Sequence, residues 1–173
     1  MVREWIPVST SPKGRLALAA VKEFGARPFD EVTVAELAVA AEVTTGALYH
    51  HFGNKLGLYT FVRDDVERRL LDRMEGAVAA RPESERPAAV TSAMLVGLDF
   101  AVREGFLRIL GSPPAGTGHD RLAEMLGAGL APAVPTLGRV LAAAWRAALA
   151  TIADGASPDD ARAALAALKL HLA

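Results

Sequence analysis

Between Val43 and Val62 the chain carries no acidic residue, while His50, His51 and Lys55 lie inside that window and Arg63 stands just beyond it. An anion could approach such a stretch unopposed, and because the formal net charge of the whole chain is −1, any anion binding must rest on this local surface and not on bulk positive charge. The adjacent histidines suggest a metal, but neighbouring helical residues project about 100° apart and cannot close on one ion, so no metal site is expected. Covalent and cofactor chemistry find no foothold either. There is no cysteine, no G-x-S-x-G elbow, no P-loop, no H-E-x-x-H and no dinucleotide fingerprint, and the Gly116-Thr117-Gly118 loop follows no strand. The chain is read as a binding protein without catalytic residues or cofactors.

The elements that must carry the acid-free window are helical. Half of the residues are apolar (51%) and only 6% aromatic, with alanine and leucine dominant, which favours close-packed helices over strands. Ser11-Pro12 caps and opens helix 1, in which Leu16, Ala20 and Phe24 repeat at helical spacing; Lys13, Arg15, Lys22 and Glu23 are assigned to its solvent side, and Pro28 ends it near Arg27. Thr33-Val-Ala-Glu36 is a capping box that opens a short second helix with Val34, Leu37, Ala38 and Ala41 as its apolar face. After a break at Glu42-Val43, Thr44 caps a third helix, with Ala47, Leu48 and His51 turned inward and Phe52 closing the small core. Asn54 caps a long fourth helix holding Leu58, Phe61, Val62, Val66, Leu70 and Met74 and reaching about Ala80.

The stretch from Val32 to Leu58, VTVAELAVAAEVTTGALYHHFGNKLGL, with Leu16, Ala20, Phe24 and Phe29 before it, resembles the TetR family of bacterial transcriptional regulators over about the first 60 residues. The resemblance implies a DNA-reading helix-turn-helix in which Thr33, Thr44, Thr45, Gly46, Tyr49, His50 and Lys55 contact DNA. The residue types suit that work. Small or hydroxylated residues at the start of the third helix let its backbone come close to a groove floor, Tyr49 and His50 can reach phosphate or base edges, and Lys55 with the start of helix 4 can clamp a phosphate. Two positions depart from the family pattern. Glu42 stands where a turn glycine is usual, so it must either take a left-handed conformation at roughly 1 kcal/mol or shift the turn. Pro28 replaces a common glycine after helix 1 and cannot take positive φ.

Beyond Ala80 the pattern predicts a polar connector from Arg81 to Pro87, helix 5 through Val90, Met94, Leu98 and Val102, a short helix 6 around Phe106 to Leu110, a loop at Ser112 to Gly118, helix 7 from about His119 to Leu130, helix 8 after Pro135, and helix 9 after the strong cap Ser157-Pro158-Asp159-Asp160. The expected fold is therefore all-α with about nine helices. It comprises a three-helix helix-turn-helix DNA-binding domain over residues 1–56 and a helical ligand-binding and dimerisation domain over 57–173. The resemblance further implies a homodimer through the last two helices, with Leu141, Ala144, Ala148, Leu165, Leu168 and Leu172 facing the partner, and a pocket lined by Phe61, Met94, Leu98, Phe106, Met125 and Trp145 for a lipophilic or aromatic effector that releases palindromic operator DNA. Asp99 and Arg103, spaced i and i+4, are either a polar anchor in that pocket or an exposed ion pair. The N-terminal tail lacks the continuous apolar segment of a signal peptide, and Leu130 to Ile152 is interrupted by prolines and arginines, so a cytoplasmic protein with no membrane partner is expected. The near-neutral charge and Glu42 leave a second reading, a helical protein-interaction module that has lost operator binding.

Overall fold

The computed structural model describes residues 10–113, 119–130 and 135–168, apart from the side chain of Pro135. The N-terminal tail before Thr10, residues 114–118 of the glycine-rich loop, and Leu172 lie outside them. Every regular element among the described residues is helical: α1 (Pro12–Ala26), α2 (Val34–Ala40), α3 (Thr45–Phe52), α4 (Lys55–Ala79), α5 (Arg86–Glu104), α6 (Leu107–Gly111), α7 (Arg121–Ala128), α8 (Pro135–Ala153) and α9 (Pro158–Ala166), with 3₁₀ turns at Phe29–Glu31 and Glu83–Glu85. They form two compact units that divide between Glu67 and Arg68, so the first part of α4 folds with the N-terminal unit.

Local hydrogen-bond chemistry sets most of the boundaries. Ser11 Oγ accepts from Gly14 N at 3.0 Å and starts α1; Ser157 Oγ accepts from Asp159 N at 3.2 Å and starts α9. In each helix a proline follows the cap, where its missing N–H is no loss. Helix α7 begins at Arg121, two residues later than expected, because Asp120 supplies the cap, its Oδ1 accepting from Ala123 N at 3.1 Å. The polar connector is also shorter than expected: a single 3₁₀ turn leads into α5 at Arg86, with Pro87 in the first turn. The i,i+3 and i,i+4 pairs Arg86–Glu83 (2.7 Å) and Arg81–Glu85 (3.1 Å) flank that corner.

In the N-terminal unit α1, α2 and α3 pack on one another around Leu16, Ala20, Phe24, Leu37, Leu48 and Leu58, all essentially inaccessible. Phe24 stacks on Phe29 (5.7 Å between centroids), and Tyr59 meets both rings edge-on. Emptying the Phe24 site would cost about 3–5 kcal/mol, a large share of what holds a unit this small together.

The C-terminal unit is organised on α8, against which α5, α6, α7 and α9 all pack. Trp145, wholly buried, donates from Nε1 to Met94 O at 2.9 Å and so ties α8 to α5. Where α7 crosses α8 the backbones nearly touch. A Cβ at Gly138 would lie 2.2 Å from Ala123 O, so only glycine permits that approach. The Arg146 guanidinium, with its side chain only 9% exposed, grips both oxygens of Asp120 at 2.7 Å and clips the capped start of α7 to α8. Arg108 donates to Ala153 O at 2.9 Å and satisfies a carbonyl at the C-terminal end of α8. Asp99 pairs with Arg162 of α9 and not with Arg103, which turns to Glu104; the acid is half-exposed and joins α5 to α9 at the surface.

Candidate nucleic-acid interface

Helix α3 presents a graded surface. Leu48 is fully buried and Ala47, His51 and Phe52 are half-buried, whereas Thr44, Thr45, Gly46, Tyr49 and His50 are exposed, Tyr49 by 54%. The leading edge is therefore free of the fold's own packing and free of acids. Thr44 Oγ1 accepts from Ala47 N at 3.2 Å, capping the helix and leaving its hydroxyl hydrogen available to an acceptor. Gly46 is informative for what does not surround it. A Cβ there would meet only Thr44 Oγ1, at an ordinary 3.6 Å, so no neighbour among the described residues requires a glycine. A helical glycine nonetheless costs about 1 kcal/mol relative to alanine.

Holding α3 in place are α2 before it and α4 after it. Thr33 accepts from Glu36 N at 3.2 Å and donates to Glu36 Oε2 at 2.7 Å, while the same carboxylate accepts from Thr33 N at 2.7 Å and from Arg27 Nη1 at 3.0 Å. The hydroxyl and backbone of Thr33, and then Arg27, hold the Glu36 carboxyl down at about 2. The Arg27 guanidinium is raised in turn by its bonds to Glu36 and Glu23. At the far end, Glu42 adopts φ 53, taking the left-handed conformation directly. Pro28 keeps φ −56 and ψ 147 and feeds the 3₁₀ turn, so that corner is built without the positive φ a glycine would offer. Between α3 and α4, Asn54 Oδ1 accepts from Gly57 N at 2.8 Å, and a Cβ at Gly57 would fall 2.1 Å from Phe52 O; the two helices are turned about a glycine contact.

Lys55 occupies a position that its place in the motif does not reveal. Its ammonium donates to Phe29 O and Val32 O, both at 2.9 Å, and sits 4.2 Å from the Phe29 ring centroid. It clasps the segment that leads into α2. Three residues assigned to the solvent side of α1 are also engaged. Lys13 lies over the rings of Phe52 and Phe61, Arg15 bonds backbone carbonyls at the turn after α2, and Glu23 pairs with Arg27; among the described residues Lys22, on the exposed side, makes no such contact. Backbone acceptors leave no sequence signature, which is why Arg15 and Lys55 could be placed on helices but not paired.

The residues expected at a ligand pocket belong to both compact units. Phe61 belongs to the N-terminal unit, packed on Phe52 at 5.3 Å under the Lys13 ammonium. Met94, Leu98, Phe106 and Trp145 are buried in the C-terminal unit, at most 2% exposed. Met125 lines a cavity of about 510 Å³ together with Val78, Ala79 and Ala128 and the charged rim residues Glu75, Arg81, Glu83 and Arg86. Of the residues expected at a dimer contact, Leu141 and Leu165 fill the core of their own unit, Ala144 and Ala148 are half-buried, and Leu168 is exposed just past α9. The outward face of α8 runs through Val140, Ala143 and Ala147 instead.

Comparison with known proteins adds two kinds of likeness. The family model described as "Bacterial regulatory proteins, tetR family" matches residues 17–60, the part that holds α2, α3 and their supports. Over nearly the whole chain the fold is similar to that of a TetR-like transcriptional regulator from Rhodococcus sp. RHA1, at TM-score 0.67 and 21% identity, covering 92% of this chain and 93% of that one. A second match is AlkX, a TetR family repressor from Dietzia sp. strain DQ12-45-1b implicated in biodegradation of n-alkanes, at TM-score 0.48 and 20% identity, covering 88% and 92%.

Proposed function

We propose that this chain, whose residues 17–60 match the model of the tetR family of bacterial regulatory proteins, is a ligand-responsive transcriptional repressor of that family that binds palindromic operator DNA as a homodimer and is released by a small-molecule effector. The observation that carries the reading is the exposed, acid-free edge Thr44-Thr45-Gly46, with a glycine that the fold itself does not need. Laid in a major groove, that edge brings the α3 backbone to the base pairs, Tyr49 and His50 extend to phosphates or base edges, and Thr44 can donate to a phosphate oxygen while still capping its helix. Thr33 and Lys55 support this surface from within, through the capping box and the clasp on Phe29 and Val32. The positive end of the α4 dipole favours a phosphate at its start.

Two such edges about one helical turn apart read an inverted repeat, and the dimer that supplies them is formed through α8 and α9. Ala144, Ala148 and Leu168, with Val140, Ala143 and Ala147 beside them, are among the small and apolar side chains of the described residues that could serve it. The effector is lipophilic or aromatic and is taken up by the C-terminal unit, where Met125, Val78, Ala79 and Ala128 offer an apolar wall and Met94, Leu98, Phe106 and Trp145 are buried in the same unit. Because α4 contributes to both units, a ligand that displaces its second half alters the setting of the DNA-reading heads. Coupling of about 1–3 kcal/mol suffices to change operator affinity by an order of magnitude or more.

Gly46→Leu tests the reading in a form that separates folding from function. Leucine is the better helix former, so the variant should melt at or above the wild-type temperature. Its affinity for the duplex upstream of its own gene, followed by fluorescence anisotropy, should fall at least a hundredfold, and Tyr49→Ala should weaken the same binding. Full affinity in Gly46→Leu would reject α3 as the groove-facing helix and favour a protein-interaction module.

A further inference from the structure

We propose that Arg15 is a positioning residue for DNA reading: its guanidinium fixes the turn between α2 and α3, and so the setting of α3, by binding the carbonyls that follow α2. The inference rests on the reading of α3 as the DNA-contacting helix.

Helix α2 closes with two backward bonds, Val43 N to Ala38 O and Glu42 N to Val39 O, each 3.0 Å, around Glu42 at φ 53. This is the hydrogen-bond pattern of a helix end whose left-handed position is ordinarily glycine. With glutamate there, the Cβ opposes the conformation, and the turn needs support that a glycine would not. Arg15 supplies it from α1. Its Nε donates to Ala41 O at 2.9 Å, its Nη2 to Glu42 O at 3.4 Å, and its Nη1 to Thr10 O at 2.9 Å. One planar, half-buried group therefore joins the start of α1 to two successive carbonyls of the turn, at the negative end of the α2 dipole. The Thr44 cap of α3 lies two residues beyond Glu42. A rotation of the Ala41 or Glu42 peptide would swing that cap, and with it Thr45, Gly46 and Tyr49, relative to a groove. Because these three N–H groups point at carbonyls of the chain, Arg15 acts on DNA through α3.

The test uses the full-length protein and a duplex that it enriches from a randomised pool. Arg15→Lys keeps the charge but loses the fork that spans both carbonyls. Its affinity for the enriched duplex should fall about tenfold, while binding to a scrambled duplex and the dependence of affinity on salt stay within twofold of wild type. Adding Glu42→Gly should restore at least threefold of the loss, since glycine holds φ 53 unaided. Should Arg15→Lys alone not fold by circular dichroism, Arg15→Gln in the Glu42→Gly background, compared with Glu42→Gly itself on both duplexes, carries the same test, with a selective loss expected. Enriched-duplex affinity within twofold of the parent overturns the proposal, as does an equal loss on both duplexes, which would mark a phosphate contact. A wild-type protein that enriches no duplex fails at the earlier step, overturning the reading of α3 and with it the role of Arg15.

Discussion

Replacing Lys55 by methionine should loosen α2 from its starting segment. Methionine keeps much of the apolar stem but loses two charge-assisted hydrogen bonds, to Phe29 O and Val32 O at 2.9 Å, and the cation above the Phe29 ring. A hydrogen bond to a charged group contributes about 1.5–3 kcal/mol, and an exposed cation–π contact about 0.5–1. Because Lys55 is half-exposed, water competes for the ammonium and the lower ends apply. After allowing for solvation of the freed carbonyls, the net loss is roughly 2–3 kcal/mol. Native-state hydrogen exchange of peptides covering residues 29–43 reads this locally: α2 amides should exchange about 30- to 150-fold faster, with Trp145 fluorescence, in the other unit, unchanged. Exchange altered less than about threefold would refute the clasp. If the salt dependence of operator binding fell by about one contact at the same time, the lysine would be a phosphate ligand after all.

Two further perturbations probe the supports of each unit. Glu36 is held at about 2, below its ordinary 4.5, by Thr33 and Arg27, so its contribution to stability is present above pH 4.5 and is lost as the pH falls towards 2. Melting temperatures of Glu36→Gln should be lower than wild type at pH 7 and converge on it near pH 2, and parallel curves would show that the carboxylate does not titrate as its contacts require. In the C-terminal unit, Asp120→Ala leaves the Arg146 guanidinium buried without its partner and removes the cap of α7. A loss of about 3–5 kcal/mol in urea unfolding is expected, with Asp120→Ala/Arg146→Met less damaging than Asp120→Ala; additive losses would show that the two residues do not act as a pair.

What was legible in the sequence was local. Ser11, the Thr33–Glu36 box, Thr44, Asn54 and Ser157 each cap a helix as their residue types require, because the groups they satisfy lie two or three residues away. The start of α7 is read only to within two residues, since the polar run His119-Asp120-Arg121 offers several starts and the cap at Asp120 also pairs with the distant Arg146. Periodicity identified buried faces without naming their neighbours. It marked Phe61 as apolar but not as a partner of Phe52, and it marked Leu141 and Leu165 as candidates for a partner subunit although they serve their own core. An apolar stripe selects what is tightly packed, whereas the described cavity is rimmed by Glu75, Arg81, Glu83 and Arg86, residues no hydrophobic pattern would pick. The same limit hid Arg15 and Lys55, whose acceptors are main-chain carbonyls at sequence separations of 23 to 27 residues.

The most direct test of the central claim is dimethyl sulfate protection of an enriched duplex bound to the full-length protein, since the reagent reads guanine N7 in the major groove and adenine N3 in the minor groove. The account predicts protected guanines in two blocks about one helical turn apart, roughly 34–36 Å, related by the symmetry of the site. Guanines that stay reactive throughout a saturated complex, with protection confined to minor-groove adenines, would contradict it.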